Sequence, residues 1–331
     1  MLVVDAHAHI VPREFPTLPT GVNLTGWPSM VALDDGRARM MIDGNEFRVI
    51  QRAYFDLETR LQLMDHQGIG LQVVSPLPEL LGHWLDARTA LELATLTNTV
   101  IAEAIAAAPA RIAGLGMLPL QDPQRSAAMV SELAAQGLRG IEVGSNVNGR
   151  SIADPCFDGV LAELARHGMA LFVHGSRPAG MERLLGPRLM INVVGIPQDT
   201  AMAIASFIVT DVLSRHPGLK LGFSHGGGTF GAVLDRMDFV WHEFSAVRAT
   251  SRLSPREYVR KFYFDTVTYS VRYLRYLIDA YGEDALICGT DGPDAGSGTR
   301  LEAFVSEACG TNGATPKILA TNAARFFNLT I

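Results

Sequence analysis

Two histidines stand at alternate positions near the start of the chain, in the run VVDAHAHI of residues 3–10. Alternate residues of a β-strand share one face, so the Cα atoms of His7 and His9 would lie about 6.5 Å apart and both imidazoles could reach one metal ion. By the same alternation Asp5 would lie below them as a hydrogen-bond acceptor. A pair of histidines also arises by chance in half-exposed strands. A metal site therefore needs further donors from elsewhere in the chain.

The rest of the sequence alternates short apolar runs with longer segments of helical spacing, about eight times. This alternation predicts an α/β protein built as a (β/α)8 TIM barrel. The predicted strands are Leu2–Asp5, Leu71–Ser75, Ile112–Met117, Gly140–Val143, Ala170–His174, Lys220–Ser224, Phe262–Asp265 and Leu286–Thr290. The predicted helices are Leu57–Gln67, Ala87–Ala108, Pro123–Ala135, Phe157–His167, Thr200–Arg215, Thr229–Phe244, Val271–Tyr281 and Pro316–Phe327.

Further metal-binding residue types follow the predicted strands where a barrel places its chemistry. His174 ends the fifth strand, His225 follows the sixth, and Asp291 follows the eighth. Because the carboxyl ends of barrel strands meet on one face, these side chains are expected to converge with the paired histidines. The sequence therefore predicts a metal-dependent active site in which a histidine near the ion exchanges protons.

Two segments interrupt the alternation. Residues 12–54 are rich in Pro, Gly and Asp and are predicted to form a small insertion over the barrel mouth, within a single domain that spans residues 1–331. Inside that insertion, Asp43-Gly44 between two alternating runs predicts a hairpin. Gly175–Ile196 is predicted to be a long loop beside the active site.

Composition excludes several functional classes. Hydrophobic residues make up 48% of the 331 residues and charged residues 19%, which supports a large core. The net charge is -6 and the basic residues are scattered, so nucleic acid is not expected as a partner. The three cysteines lack CxxC spacing, which fits a reducing cytoplasm. Apolar runs such as Ala201–Val209 are short, and no signal-peptide pattern begins the chain, so no membrane role is expected.

The order of these motifs resembles the amidohydrolase superfamily. The HxH pair on strand one, His on strand five, His-Gly-Gly-Gly on strand six and Asp on strand eight span the whole chain. Four shorter runs resemble the subgroup of 2-amino-3-carboxymuconate-6-semialdehyde decarboxylase and related non-oxidative decarboxylases. These runs are NEFR at 45–48, PLQD at 119–122, HGGG at 225–228 and NAARFF at 322–327.

The resemblance implies roles for particular residues. The metal ligands would be His7, His9, His174 and Asp291, holding one divalent ion, with zinc expected and manganese as the alternative. His225 and Asp291 would be the catalytic pair, and His225 would be the acid or base. Arg48 would bind the carboxylate of a small substrate, and Arg236 would reach the site of a neighbouring subunit in a homodimer. The implied activity is decarboxylation of a carboxylated aromatic or muconate-semialdehyde-like acid.

Several alternatives stay open from the sequence. The same metal site would serve a hydrolase of lactones, esters or amides, or a hydratase. Glu142 on the fourth strand is interpreted as an acid paired with a neighbouring Arg or Lys, and its alternative role is a ligand of a second metal ion. Arg177 follows His174 where the subgroup has a proline and a tryptophan-rich loop, and it is either a solvated residue or a further carboxylate anchor. Gly292, Pro293 and Asp294 replace the aromatic residue that follows the subgroup's aspartate, which leaves the substrate open.

Overall fold

The structure, a computed structural model, describes residues 1–17, 25–293, 300–311 and 313–331. Its strands are β1 Val4–Ile10, β2 Pro28–Ala32, β3 Ala38–Ile42, β4 Asn45–Ile50, β5 Leu71–Pro76, β6 Ile112–Gly116, β7 Gly140–Gly144, β8 Asn146–Val147, β9 Arg150–Ser151, β10 Ala170–His174, β11 Lys220–Phe223, β12 Tyr263–Asp265 and β13 Leu286–Ile287. Its α-helices are α1 Leu57–Gln67, α2 Ala87–Ala107, α3 Pro123–Ala135, α4 Asp158–His167, α5 Ile196–Val209, α6 Val212–Arg215, α7 Phe230–Glu243, α8 Ser245–Arg248, α9 Pro255–Val259, α10 Val271–Tyr281, α11 Leu301–Cys309 and α12 Asn322–Phe327.

Eight of the strands form one parallel sheet, in the order β1-β5-β6-β7-β10-β11-β12-β13. Backbone hydrogen bonds join the last strand to the first, because Ala6 N donates to Cys288 O at 2.8 Å and Asp291 N donates to His7 O at 2.9 Å. At least one helix follows each of the eight strands. The predicted (β/α)8 barrel is therefore confirmed, and its C-terminal face carries the candidate site.

Aromatic side chains fill the barrel interior and close its lower end. Phe172 on β10 packs in the same buried cluster as Phe326 and Phe327 of α12. Gly222 on β11 makes room for this packing, since a Cβ there would lie 2.5 Å from the Phe326 ring. Tyr263 stacks on Phe326 with 4.5 Å between ring centroids. The C-terminal helix thus forms the floor below the layer that carries the histidines.

A small antiparallel sheet of β2, β3 and β4 packs at the opposite end of the barrel. The predicted hairpin joins β3 to β4, and Asp43 and Gly44 have the positive φ angles of 52° and 72° that a tight hairpin turn requires. The sheet packs on segments that leave β1 and β5, through a buried cluster of Val11, Ala38, Met40, Ile50, Tyr54, Leu77 and Leu80. Residues 18–24 of the predicted insertion 12–54 lie outside the described residues, and the single-domain organisation stays a prediction.

Several element boundaries differ from the prediction, and three of the differences lie in elements that surround the candidate site. Strand β1 runs through the histidine pair to Ile10, because both histidines are buried inside the barrel and count as core positions. The predicted helix Thr200–Arg215 is two helices, separated at Asp211, whose backbone is left-handed with φ 49°. Helix α5 and the π-helical turn Ile191–Gly195 before it shorten the predicted loop Gly175–Ile196.

Two helices of the described chain, α2 and the continuous segment Ile191–Val209, are long and apolar enough to cross a membrane. Residues buried inside the protein make up 39% and 44% of their most apolar windows. Helices that cover a barrel meet the same criteria of length and composition, so this finding is weak evidence for a span. The expectation of no membrane role stays a prediction.

Truncation of Phe326 to alanine is expected to destabilise the barrel by about 3–5 kcal/mol, because it leaves a cavity in the floor that the surrounding rings cannot fill. Urea unfolding followed by circular dichroism measures the change. Val31→Ala serves as the control, since Val31 is 46% exposed and should change the free energy of unfolding by less than about 0.5 kcal/mol. A loss below about 1 kcal/mol in Phe326→Ala would show that the floor repacks.

Candidate metal centre

Four side chains from three separate parts of the chain converge above the aromatic floor. His7 and His9 come from β1, His174 from the end of β10, and Asp291 from the turn after β13. One donor atom of each lies within 4.8 Å of the others. The Nε2 atoms of His7 and His9 are 3.1 Å apart, and Asp291 Oδ1 lies 3.0 Å from His9 Nε2 and 3.4 Å from His7 Nε2. The structure thus brings together the four residues that the family resemblance implies as metal ligands.

The Nδ1 atom of each histidine in the cluster faces an oxygen acceptor. His7 Nδ1 lies 2.6 Å from Asp265 Oδ2, His9 Nδ1 lies 3.0 Å from the Pro76 carbonyl, and His174 Nδ1 lies 2.8 Å from the Gly175 carbonyl. A carbonyl or ionised carboxylate oxygen only accepts hydrogen bonds, so Nδ1 carries the hydrogen in each ring. The three Nε2 lone pairs are therefore free to coordinate a cation.

The electrostatics of the cluster also fit a bound cation. His174 Nε2 is buried and has no hydrogen-bond partner in the described chain, a costly arrangement for a polar atom without a ligand. Burial and then the charges of the neighbouring histidines hold the pKa of His174 well below its usual value. Burial raises the pKa of Asp291, but its hydrogen bonds to His225 and His9 outweigh burial and leave the pKa well below its usual range. Neutral imidazoles with a carboxylate form a donor set that suits a divalent ion.

Backbone geometry at the barrel seam sets the position of Asp291. The residue has a left-handed backbone, with φ 57°, and its N–H is anchored on the His7 carbonyl. Asp5 holds the preceding residue, because Thr290 N and Thr290 Oγ1 donate to its carboxylate at 3.0 and 2.7 Å. A register shift between Asp5 and Ala8 breaks the simple alternation of β1. Asp5 is a hydrogen-bond acceptor below the site, as the sequence predicted, and its donors are Gln72, the Thr290 turn and the backbone N–H of His7.

His225 stands beside the cluster. Its ring lies 4.8 Å from the His174 ring, centroid to centroid, and its Nε2 lies 3.5 Å from Asp291 Oδ2. Burial lowers the pKa of His225, but the hydrogen bond and the negative charge of Asp291 outweigh burial and raise the pKa above its usual value. The side chain is 16% exposed, so one side of the ring is open to the barrel mouth. His225 is therefore placed to exchange a proton with a bound molecule.

Asp265, at the end of β12, was not singled out in the sequence. Its buried carboxylate accepts from His7 Nδ1 and also from the backbone N–H groups of His225 and Gly226, at 2.9 and 3.0 Å. It thereby fixes the ring of a candidate ligand and the backbone of the candidate acid or base. The sequence feature that could have identified Asp265 is its position at the end of a predicted strand, which is also the position of His174.

Glu142 on β7 is wholly buried, and neither carboxylate oxygen has a hydrogen-bond partner in the described chain. Burial raises the pKa of Glu142, while the charges of His9 and His7 act in the opposite direction. The interpretation of Glu142 as an acid paired with Arg or Lys is therefore wrong. The described group of converging donor atoms does not include Glu142.

The two predicted substrate-binding arginines occupy different environments. Arg48 on β4 is partly buried, with its guanidinium 3.7 Å from Glu79 and its Cζ 5.9 Å from the Tyr54 ring centroid. Glu79 follows β5, whose Pro76 carbonyl faces the His9 ring, so Arg48 lies at the C-terminal end of the barrel. Arg236 is exposed on α7 and makes no ion pair with any described residue. The structure does not bring Arg236 into the cluster of its own chain.

Replacement of Asp265 by asparagine is expected to weaken metal binding about 10–100-fold, because an amide holds the Nδ1–H tautomer of His7 less firmly than a carboxylate. Competition with a chromogenic chelator measures the affinity without any assay of activity. Asp279→Asn on the exposed side of α10 is the matched control. Equal affinities in the two folded variants would contradict the positioning role of Asp265.

Comparison with known proteins identifies the family. The family model described as Amidohydrolase matches residues 4–329. The chain is 35% identical to the 2-amino-3-carboxymuconate-6-semialdehyde decarboxylase of Dictyostelium discoideum over 298 residues, covering 88% of this chain and 82% of that protein.

Solved structures give the same fold. The 5-carboxyvanillate decarboxylase of Sphingomonas paucimobilis superposes with a TM-score of 0.77 at 27% identity and covers 84% of this chain and 85% of that one. The dihydroxybenzoic acid decarboxylase of Polaromonas sp. JS666, solved with bound manganese and 2-nitroresorcinol, has a TM-score of 0.76 at 20% identity, with 84% and 88% covered. With the family model spanning nearly the whole barrel, this chain belongs to the amidohydrolase family and is similar to its 2-amino-3-carboxymuconate-6-semialdehyde decarboxylases.

Proposed function

We propose that this protein is a metal-dependent decarboxylase that releases carbon dioxide from a small carboxylated aromatic or muconate-semialdehyde-like acid. The observation that carries the proposal is His225 beside four converging metal donors, in a chain 35% identical to a decarboxylase over most of its length. The fold alone would fit many reactions. The cluster of metal donors and the similarity to the Dictyostelium discoideum decarboxylase together favour decarboxylation.

One divalent ion would be held by His7, His9, His174 and Asp291. The three histidine nitrogens and one carboxylate oxygen favour zinc, and manganese is the alternative. When bound, such an ion polarises an oxygen atom of the substrate or acidifies a water molecule. Asp291 and Asp265 supply two negative charges beside it, which offset the charge of a divalent ion in a buried site.

Decarboxylation needs a proton at the carbon that loses its carboxylate. The bond between that carbon and the carboxylate breaks, the electron pair stays on the carbon, and a proton takes the place of carbon dioxide. His225 is the group at the cluster that can hold and deliver this proton near neutral pH. Asp291 at 3.5 Å stabilises the charged ring, and the Asp265 bonds to the His225 and Gly226 backbone keep the ring in place.

Arg48 would bind a carboxylate of the substrate. A guanidinium pairs with a carboxylate through two parallel hydrogen bonds, which orients the acid as well as attracting it. Arg48 projects from the small sheet at the barrel mouth and already lies near the Glu79 carboxylate. A substrate carboxylate would compete with Glu79 for this cation.

Replacement of His225 by asparagine is expected to lower the kcat of carbon dioxide release by about 10²–10⁴-fold while leaving metal content unchanged. Release is measured from the metal-loaded protein with 2-amino-3-carboxymuconate-6-semialdehyde, 2,6-dihydroxybenzoate, salicylate and 5-carboxyvanillate. His66→Asn, on the exposed side of α1, is the matched control. Turnover of lactones, esters or amides, or hydration of unsaturated acids, without carbon dioxide release would favour the hydrolase or hydratase alternative.

We further propose a homodimer in which Arg236 completes the site of the neighbouring subunit. Arg236 shares the outer face of α7 with Val233 and Phe239, which are 42% and 61% exposed. Exposed apolar side chains that flank an unpaired cation are typical of a surface that a partner covers. The same surface on a second copy would bury the apolar groups and give Arg236 an anionic ligand to bind.

Mixing two inactive variants tests this arrangement. Arg236→Ala and His225→Asn are each expected to lose activity, and a dimer of one copy of each contains one site with both residues intact. Random exchange of subunits should therefore restore about a quarter of the wild-type activity. No recovery in mixtures that native mass spectrometry shows to contain hybrid dimers would mean that Arg236 acts within its own chain or is not needed.

We also propose a cytoplasmic location for the protein. Cys156, Cys288 and Cys309 are free thiols, which suits a reducing compartment.

A further inference from the structure

A buried arginine of α1 contacts the strand that carries the histidine pair. Arg60 is 3% exposed, and its Nη2 donates to the His9 carbonyl while its Nη1 donates to Gln72 Oε1 at 2.7 Å. Burial lowers the pKa of Arg60 to about 10, so the guanidinium still carries its charge at neutral pH. A buried charge is tolerated only where hydrogen bonds and an opposite charge compensate for the lost solvation. The two acceptors therefore hold Arg60 against β1 and β5.

Gln72 on β5 connects this cation to the buried carboxylate of Asp5. Gln72 is 4% exposed, and its Nε2 donates to Asp5 Oδ2 at 2.8 Å. A guanidinium only donates hydrogen bonds and an ionised carboxylate only accepts them, so a single orientation of the amide satisfies both partners. The negative charge of Asp5 also favours the charged form of Arg60. A cation and an anion in the core are thus joined through one amide side chain.

Asp5 in turn holds the two residues that flank Asp291. Thr290 donates to the Asp5 carboxylate through both its N and its Oγ1. Thr290 Oγ1 accepts from Gly292 N at 3.0 Å, and the Gly292 carbonyl accepts from His9 N at 2.8 Å. Asp291 therefore keeps its left-handed backbone within a set of hydrogen bonds that begins at Asp5 and ends on β1.

Two paths of hydrogen bonds thus lead from Arg60 to the candidate metal donors. The short path is the bond to the His9 carbonyl. The long path runs through Gln72 and Asp5 to the turn that carries Asp291. The paths meet again at the donor atoms, because Asp291 Oδ1 lies 3.0 Å from His9 Nε2. A metal ion needs its donors at fixed distances of about 2 Å from one centre, so the relative position of these two backbones affects binding.

We propose that Arg60 is a positioning residue for the metal centre, and that it acts by fixing the separation of His9 and Asp291. The hydrogen bonds of Arg60 reach a backbone carbonyl and Gln72 rather than a donor atom, so its role is to orient the ligands and not to react. The proposal rests on the proposed function only for the presence of the ion. It makes α1, a helix outside the barrel strands, part of the structure that sets metal affinity.

The zinc affinity of Arg60→Gln tests this role without an assay of activity. Competition with a chromogenic chelator should give a Kd about tenfold or more above that of the wild type, because the backbones of two donors are no longer held together. The visible absorption of the cobalt-substituted protein should also change, since this spectrum reports the geometry of the ligands.

Arg111→Gln is the matched control for the loss of a buried hydrogen-bonding arginine. Arg111 also donates to backbone carbonyls, those of Gly70 and Ile69, but at the opposite end of β5 from the metal donors. Its replacement should therefore leave the zinc Kd and the cobalt spectrum unchanged, even where it lowers the free energy of unfolding.

Gln72→Met interrupts the long path without removing the cation, so it keeps the proposal testable if Arg60→Gln does not fold. Its zinc Kd should also rise. In the double variant the Kd should rise by less than the product of the two single increases, because both residues act along one path. A wild-type zinc Kd and an unchanged cobalt spectrum in the folded variants would overturn the positioning role.

These readouts separate the proposal from the proposed function. A raised zinc Kd in Arg60→Gln, in a protein whose wild type releases no carbon dioxide from any acid, would overturn the decarboxylase and leave the positioning role standing. Decarboxylation by the wild type with an equal zinc Kd in Arg60→Gln would overturn the positioning role and leave the decarboxylase standing. A wild-type protein that binds no divalent ion would overturn both.

Discussion

A buried carboxylate at the end of β12 is the interaction on which the site depends. Asp265 is inaccessible to solvent, and a charge in such a place is tolerated only when donors surround it. Burial raises its pKa, but the bond to His7 and the nearby charges outweigh burial and lower the pKa below its usual value. The carboxylate therefore remains an anion and accepts from four groups, which are His7 Nδ1 and the backbone N–H groups of His225, Gly226 and Val267. One side chain thus joins three barrel strands at their carboxyl ends.

This connection couples metal binding to proton transfer. The Asp265 bond to His7 selects the tautomer that leaves Nε2 free for the ion. Asp265 also accepts a hydrogen bond from the backbone N–H of His225, which follows the neighbouring strand β11. This bond holds His225 in a left-handed backbone conformation, with φ 56°. The glycines that follow allow the chain to turn there. A Cβ on Gly228 would lie within 3 Å of the Pro197 backbone, so only glycine fits that position. Asp265 therefore positions both the candidate metal ligand His7 and the candidate acid or base His225, and the tight turn after β11 makes this arrangement possible.

The sequence predicted the features that follow from the alternation of strands and helices along the chain. The strand-end residues His174 and Asp291 could be placed because parallel strands in a barrel end on one face, whatever the details of packing. The hydrogen-bond donors of Asp5 and the surroundings of Glu142 could not be predicted in this way. A register shift in β1 changes the neighbours of Asp5, and the burial of Glu142 without a cation depends on strands that are distant in sequence. His216, just after α6, is only 8% exposed, and Asp158 of α4 lies within 3.0 Å of its ring. Such outcomes depend on contacts between elements, which periodicity does not encode.

The structure also separates the residues of the metal chemistry from those that line a cavity of about 490 Å³ at the loops after β5, β7 and β10. The metal donors and His225 are fixed by strand ends and by buried carboxylates, which a substitution cannot shift without disturbing the barrel. Trp84, Arg177 and the β8–β9 hairpin lie in connections between strands and helices, where the backbone tolerates change. A barrel organised in this way can keep one reaction while its loops select different acids. The histidine His83 connects the two regions, since its Nε2 accepts from the backbone of β7 while its side chain also lines the cavity. Differences in substrate among such proteins should therefore follow the loops after the second, fourth and fifth barrel strands, while the metal donors stay the same.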